Sequence, residues 1–162
     1  MNKSLESDAA VRLFCSFRTE GRLYGIDATQ VREISTQVDC TPVPQAPTAV
    51  RGLANLRSRI FLVVDIRPIL GFPPVPCTAD SRLIVLKPQL TEDMGILVEH
   101  GGDIVHVHAG QIEGSIEPTD DESSASESRQ LAVTVGVCKL GNELMTMIDA
   151  SRLIQIVKVL MQ

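Results

Sequence analysis

Residues 51–71 read RGLANLRSRIFLVVDIRPILG, in which Arg51, Arg57, Arg59 and Arg67 surround five consecutive apolar residues, Ile60 to Val64. The apolar run does not alternate with polar residues, so both faces of the strand it predicts are expected to be buried. At about 1.5–3 kcal/mol for each fully buried aliphatic side chain, five of them contribute roughly 8–15 kcal/mol as an upper bound. The strand is therefore expected to anchor the core. Asp65 ends it, and Arg67 two residues on is placed to form a structural ion pair with Asp65 where the chain leaves the interior. Arg57 has no acid within several residues on either side. Its planar five-donor fork needs a distant carboxylate, backbone carbonyls or a partner protein.

Outward from this stretch, strand signals dominate. VRLFCSF alternates, with Val11, Leu13, Cys15 and Phe17 on one face, and a Glu20-Gly21 turn leads into RLYGID. RLIVLK and DMGILVEH repeat that hairpin pattern, and LAVTVGVCKL with ELMTMID forms a third pair. Asp27 before ATQVREIS, with Gln30 three residues later, predicts a short helix with Val31 and Ile34 on one face. Thr48 is placed to cap a turn through AVRGLANL, Gly101-Gly102 reads as a turn, and 150–161 predicts a C-terminal helix capped by Asp149 or Ser151.

An internal repeat organises these signals. Arg12-Leu13, Gly25-Ile26 and Ile34 recur as Arg82-Leu83, Gly95-Ile96 and Ile104, displaced by 70 residues. Leu56, Ile60, Val64-Asp65 and Ile69-Leu70 recur as Leu140, Leu144, Ile148-Asp149 and Leu153-Ile154, displaced by 84. The change of offset falls between residues 104 and 140, where an acidic stretch lies. This reading gives two similar β halves, about 11–71 and 82–155, joined by the proline-rich connector 72–81, where Pro73, Pro74 and Pro76 forbid a regular ladder. Residues 1–10 are expected to be a flexible N-terminus, and 156–162 the end of the C-terminal helix. A groove between two such halves is a favoured binding place.

Composition narrows the function. Of 162 residues, 44% are hydrophobic but only 3% aromatic, so the core is aliphatic and platforms for stacking bases are nearly absent. The net charge of −5 is concentrated. SIEPTDDESSASESRQ, residues 115–130, carries Glu117, Asp120, Asp121, Glu122 and Glu127 against Arg129 and reads as a solvated acidic loop. An SH3-like barrel that binds nucleic acid is disfavoured by the acidic balance. Cys15, Cys40, Cys77 and Cys138 are dispersed, with no C-x-x-C pair, and are expected to be free thiols. His106 and His108 share a strand face but lack a third ligand at suitable spacing, so no metal or other cofactor is expected. No nucleophile elbow, Walker loop or dinucleotide fingerprint occurs, and catalysis is not expected. No apolar run approaches the roughly 20 residues of a membrane span, and the N-terminus lacks the apolar centre of a signal peptide, so the chain is expected to be cytoplasmic.

The ordered set Y-G-I-D (24–27), V-x-E-I (31–34), G-x-x-N-L-R (52–57) and V-V-D-I-R (63–67) resembles the CheW family of bacterial chemotaxis adaptors, over about residues 11–155. The resemblance implies a mainly β fold of two intertwined five-stranded SH3-like β-barrels around a shared core. It implies a non-catalytic scaffold that couples a chemoreceptor cytoplasmic tip to the regulatory domain of a CheA-type histidine kinase, with other CheW-like proteins as further partners. Localisation at membrane-associated receptor arrays, without membrane insertion, follows from the same likeness. Matched position by position, Val31, Glu33, Gly52 and Arg57 fall on receptor-coupling residues. Two positions depart from the family pattern: Ser58 stands where a glycine follows N-L-R, and Leu62 where the next strand carries a proline.

Overall fold

Glu20 and Gly21 take φ of 53° and 72°, the left-handed pairing that a two-residue hairpin turn requires, and they fold β1 (Arg12–Thr19) back onto β2 (Arg22–Asp27). The structure, a computed structural model, describes residues 11–113 and 132–162; the expected flexible N-terminus and the acidic stretch 115–130 lie outside the described residues. Beyond β2 come β3 (Val31–Ser35), β4 (Val50–Leu56), β5 (Arg59–Asp65), β6 (Arg82–Leu86), β7 (Met94–Val98) and β8 (His100–Val107). β9 (Ile112–Glu113), β10 (Thr134–Leu140) and β11 (Glu143–Ile148) complete the strands. Helix α1 (Ile66–Ile69) follows β5, and α2 (Ala150–Leu160) follows β11.

The strands form two sheets, ordered β8-β1-β2-β11-β10-β9 and β3-β6-β7-β5-β4. Each is the wall of a barrel that main-chain hydrogen bonds leave open, and β9 makes the first six-stranded. The halves read from the sequence are interlaced. The first gives β1 and β2 to one sheet and β3 to β5 to the other; the second gives β6 and β7 to the latter and its remaining strands to the former.

The repeat persists in register. β4 and β5 pair Gly52 with Val63 after a bulge, and β10 and β11 pair Gly136 with Met147 after a bulge at the same place, 84 residues on. The parallel pairs match as well: Val64 opposes Ile96 as Ile148 opposes Ile26. Even the loop ahead of each helix is copied, since Asp65 N–H donates to Ala49 O (2.7 Å) and Asp149 N–H to Val133 O (3.0 Å). In β1 the repeat is slipped by one. Ile26 pairs with Cys15, and Ile96, 70 residues later, pairs with Ile84, only 69 later. The counterpart of Leu83 is therefore buried Phe14; Leu13 is 43% exposed.

Three apolar clusters follow from this interlacing. The central one lies between the sheets and under both helices, with Phe17, Tyr24, Ile26, Val64, Ile84, Ile96, Ile148 and Leu153. Inside one barrel sit Ala54, Phe61, Val63 and Leu83; inside the other, at equivalent places, Cys138, Met145, Met147 and Phe14. β5 thus has Phe61 and Val63 facing its barrel and Val64 facing the centre, and Leu62 packs half-buried against the central cluster. Ile60 does not share that burial: it is 55% exposed, because the start of β5 projects past the neighbouring layer at the hairpin end. β1 is likewise covered on both faces from Phe14 to Phe17 rather than on one.

Three local expectations are corrected. The helix expected over 28–35 is only a 3-10 turn, Ala28–Gln30, followed by β3, because pairing β3 to β6 satisfies a whole edge of backbone groups. Asp27 still caps, its Oδ1 accepting from Thr29 N–H at 2.9 Å. Gln30 instead serves α2, donating from Nε2 to Asp149 Oδ1 (3.0 Å) and accepting from Ala150 N–H (3.2 Å). The turn expected from Thr48 forms at Thr48–Ala49, closed by Val50 N–H donating to Pro47 O at 2.9 Å, but it does not run on through 50–56, which are β4. Gly101 and Gly102 lie within β8, where a Cβ on Gly102 would stand 2.4 Å from Ser16 Oγ: they allow β8 and β1 to approach.

Candidate partner-binding face

β3 and β4 are the two edge strands of their sheet, and the β4–β5 hairpin carries Arg57 toward β3. Arg57 Nη2 lies 3.0 Å from Glu33 Oε2, an ion pair across the open seam of the barrel. The fold therefore joins two residues 24 positions apart that the sequence singled out separately. The Arg57 side chain is 77% exposed and that of Glu33 25%, so the pair is a surface feature with its carboxylate end tucked in. Below it is a hollow of about 350 Å³ lined by both residues and by Ile34, Ser35, Thr36, Gln37 and Leu56. Ile34 is 38% exposed there, which sets apolar surface beside a charged anchor.

Val31 begins β3 opposite Leu86, half-buried against the central cluster. It shapes the base of the face more than its surface. Gly52 is buried in β4 with φ of 148°, and a Cβ there would stand 2.1 Å from the carbonyl oxygen of Thr41. The segment 36–49 is seated on β4 through Thr41 N–H donating to Leu53 O (2.8 Å) and Leu53 N–H donating to Thr41 O (2.9 Å). Gly52 therefore acts through the approach it permits to the segment that carries Thr36 and Gln37.

Arg57 and Ser58 are the central residues of the hairpin, with φ of 51° and 66°. Both lack the glycine such turns favour. A left-handed non-glycine residue costs about 1–2 kcal/mol, partly offset by the extra backbone entropy glycine loses on folding. Ser58→Gly is expected to stabilise the chain by roughly 0.5–1 kcal/mol, read as a higher urea midpoint at unchanged slope. No gain would mean that the Ser58 side chain contributes as much as its strain costs.

Asp65 and Arg67 are close in sequence, but their side chains take different partners. Asp65 Oδ1 accepts the Arg67 backbone N–H at 3.0 Å, the N-cap of α1, and its Oδ2 faces Arg51 Nη1 at 3.5 Å. Burial, only partly offset by these donors and by the Arg67 charge, pushes the Asp65 carboxyl above the usual carboxylate range. The Arg67 guanidinium turns the other way, pairing with Glu20 and, at 2.5 Å, with Glu99 Oε2. Burial alone would lower its pKa, and those two carboxylates more than reverse the effect.

A second hollow, about 420 Å³, opens between β1 and the start of α2. Its polar groups are engaged with each other: Arg12 Nη2 with Asp27 Oδ2 at 2.7 Å, and Gln30 with Asp149. His106 and His108 are both exposed, and among the described residues no three His, Cys, Asp or Glu side chains converge as metal ligands. Among the described residues no helix is long and apolar enough to cross a membrane. Sequence reading missed the exposed Ile34, Leu53 and Ile60, whose apolar character suggested burial.

The chemotaxis protein CheW of Bacillus subtilis is 29% identical over 135 residues, covering 83% of this chain and 81% of that protein. The chemotaxis protein CheW of Rhizobium meliloti is 31% identical over 116 residues, 72% of each chain. The crystal structure of the scaffolding protein TtCheW from Thermoanaerobacter tengcongensis superposes with a TM-score of 0.69 at 24% identity, covering 85% of this chain and 88% of that one. Residues 13–158 match the family described as CheW-like domain. With the match spanning both interlaced sheets and α2, the chain belongs to the CheW-like domain family.

Proposed function

We propose that this chain is a non-catalytic chemotaxis scaffold that couples the cytoplasmic tip of a chemoreceptor to the regulatory domain of a CheA-type histidine kinase, with further CheW-like proteins as neighbours in a cytoplasmic array beneath the membrane. The receptor-facing surface is the one built on Val31, Glu33, Gly52 and Arg57. The observation that carries this reading is the Arg57–Glu33 pair beside exposed Ile34, in a chain of this family. A charged fork flanked by apolar surface is the composition of an interface anchor. Family membership and the relatives' names, chemotaxis protein CheW and a CheW scaffolding protein, support a role in contact. A nucleic-acid-binding barrel is not favoured, given the net charge of −5 and the scarcity of aromatics.

The test uses a receptor-tip fragment. An exposed ion pair contributes about 0.2–1 kcal/mol to folding, so Arg57→Ala should keep a cooperative melt close to wild type. Loss of an interface anchor costs about 2 kcal/mol or more, roughly 30-fold in affinity for the receptor fragment. Arg57→Ala and Glu33→Ala both binding like the wild type would overturn the assignment of this face.

A further inference from the structure

We propose that the hollow of about 420 Å³ between β1 and the start of α2 is a second binding site, which takes an extended, proline-containing segment of a partner protein. The internal repeat shows why. Arg12, Asp27, Thr29 and Asp149 line this hollow, and their counterparts in the observed register, Ser81, Leu97, Glu99 and Asp65, all line one cavity in the other half of the fold. That cavity holds only about 10 Å³, because Val75, Pro76 and Cys77 of the connector form its remaining walls. Among the described residues, one half thus fills this place with the chain's own connector and the other leaves it open. The difference is set where each helix ends. Leu70 caps α1 after a single turn and Gly71 follows at φ 89°, so the chain turns back across the cavity. The counterpart of Gly71, 84 residues on, is Gln155, which lies inside α2.

The connector also shows which chemistry fits. No helix or strand forms from Phe72 to Thr78. Pro73, Pro74 and Pro76 hold φ at about −65° and push the residues before them into extended backbone. Such a segment cannot satisfy its own carbonyls, and an arginine does so: Arg67 Nε donates to the Pro73 carbonyl at 2.7 Å. In the open hollow Arg12 is placed for the same service. Its Nη2 pairs with Asp27 at 2.7 Å, its guanidinium lies over the Phe14 ring, 5.0 Å from the centroid, and among the described residues nothing takes its remaining donors. Phe14, Ile112, Val135 and Met147 supply an apolar floor. Val135 stands at the place of Arg51, so this floor is drier than the filled one and favours aliphatic and proline side chains. Gln30 and Asp149 bond each other at 3.0 Å, which leaves Arg12 as the polar anchor for a main-chain carbonyl. A proline-rich segment is already extended in solution and loses little entropy on docking. The site lies in the sheet that lacks the Arg57–Glu33 pair, so its occupancy is independent of the receptor reading.

The experiment uses the connector's own sequence in trans. A synthetic peptide of residues 72–78, FPPVPCT carrying Cys77→Ser, is titrated to a few millimolar into isotope-labelled full-length chain, and amide shifts are followed by NMR. The expected result is saturable shifts centred on Phe14, Ile112, Val135 and Met147, several-fold weaker for a peptide with alanine at all three prolines. Val135→Trp fills the hollow and should abolish them. Arg12→Ala alters an exposed ion pair, so it should melt close to wild type and bind the peptide several-fold more weakly. No shifts, shifts centred on the Glu33–Arg57 hollow or on the connector, or equal binding by wild type and Arg12→Ala would each overturn the proposal. Concentration-dependent shifts at the hollow without peptide would assign it to a second copy of the chain, and binding only after deletion of residues 117–127 would assign it to the chain's own acidic stretch; either result also overturns it.

Discussion

Gly52→Ala is expected to lower the stability of the fold by about 2–6 kcal/mol, although it adds a single methyl group. The added carbon would stand 2.1 Å from the Thr41 carbonyl oxygen, 2.6 Å from its carbon and 3.0 Å from the Pro42 Cα. All three are main-chain atoms that cannot rotate aside, so the 36–49 segment must lift from β4. Lifting it breaks two Thr41–Leu53 hydrogen bonds, worth about 0.5–1.5 kcal/mol each. An alanine held at φ 148° adds about 1–3 kcal/mol of backbone strain. Gly110→Ala is the control, since a Cβ there meets nothing within 4 Å and the expected change is within about 0.5 kcal/mol. Urea unfolding measures both, and hydrogen exchange at the Thr41 and Leu53 amides locates the damage. If Gly52→Ala melts like wild type with those amides still protected, the close approach is not what the glycine serves. A loss of receptor binding that tracks loss of protection would place the effect in the seated segment.

The hairpins and the repeat were legible in the sequence because each rests on local chemistry: apolar residues at strand spacing, turn residues between them and the same order twice. Where the reading slipped, long-range pairing decided the outcome. Phe14, Cys15, Ser16 and Phe17 are all buried, so alternation could not say whether Leu13 or Phe14 matched Leu83; only the partner strand fixes that. Val31 and Ile34 are three apart, a spacing that suits a helix, yet the free edge of β6 made that stretch a strand. Ile60 continues an apolar run that ends in water, and nothing in its neighbours marks where the covering layer stops. Of the candidate site, Glu33, Gly52 and Arg57 were each visible as motif positions. Their relation was not: the ion pair depends on the barrel curving far enough to bring β3 near the β4–β5 turn. For Asp65 and Arg67, proximity in sequence pointed to the wrong side-chain partners, since an N-cap spends its carboxylate on the backbone N–H two residues on.

Arg67→Ala is expected to cost about 3 kcal/mol, toward the lower end for breaking a buried ion pair. Arg67 departs from the repeat: its counterpart 84 residues on is Ser151, so the second half does not copy this lock. Its guanidinium joins segments distant in the chain. It pairs with Glu20 in the β1–β2 turn and Glu99 at the β7–β8 junction, and Nε donates to the Pro73 carbonyl of the connector at 2.7 Å. Its own side chain is 4% exposed, whereas those of Glu20 and Glu99 are 46% and 26% exposed. After truncation the two carboxylates can take up water, and this holds the loss below that of a fully enclosed pair, but they also repel each other across the vacated space. Arg67→Lys keeps the charge without the fork, so it can satisfy only part of the set and is expected to recover about half of the loss. Thermal and urea melts of both variants measure this, with Glu20→Gln in the Arg67→Ala background as the decisive arm. If repulsion between the stranded carboxylates is part of the cost, the double variant is more stable than Arg67→Ala alone. If it is equally unstable, the arginine acts through the Pro73 carbonyl and its packing over the Phe72 ring, 5.7 Å away, and the electrostatic account of the lock fails.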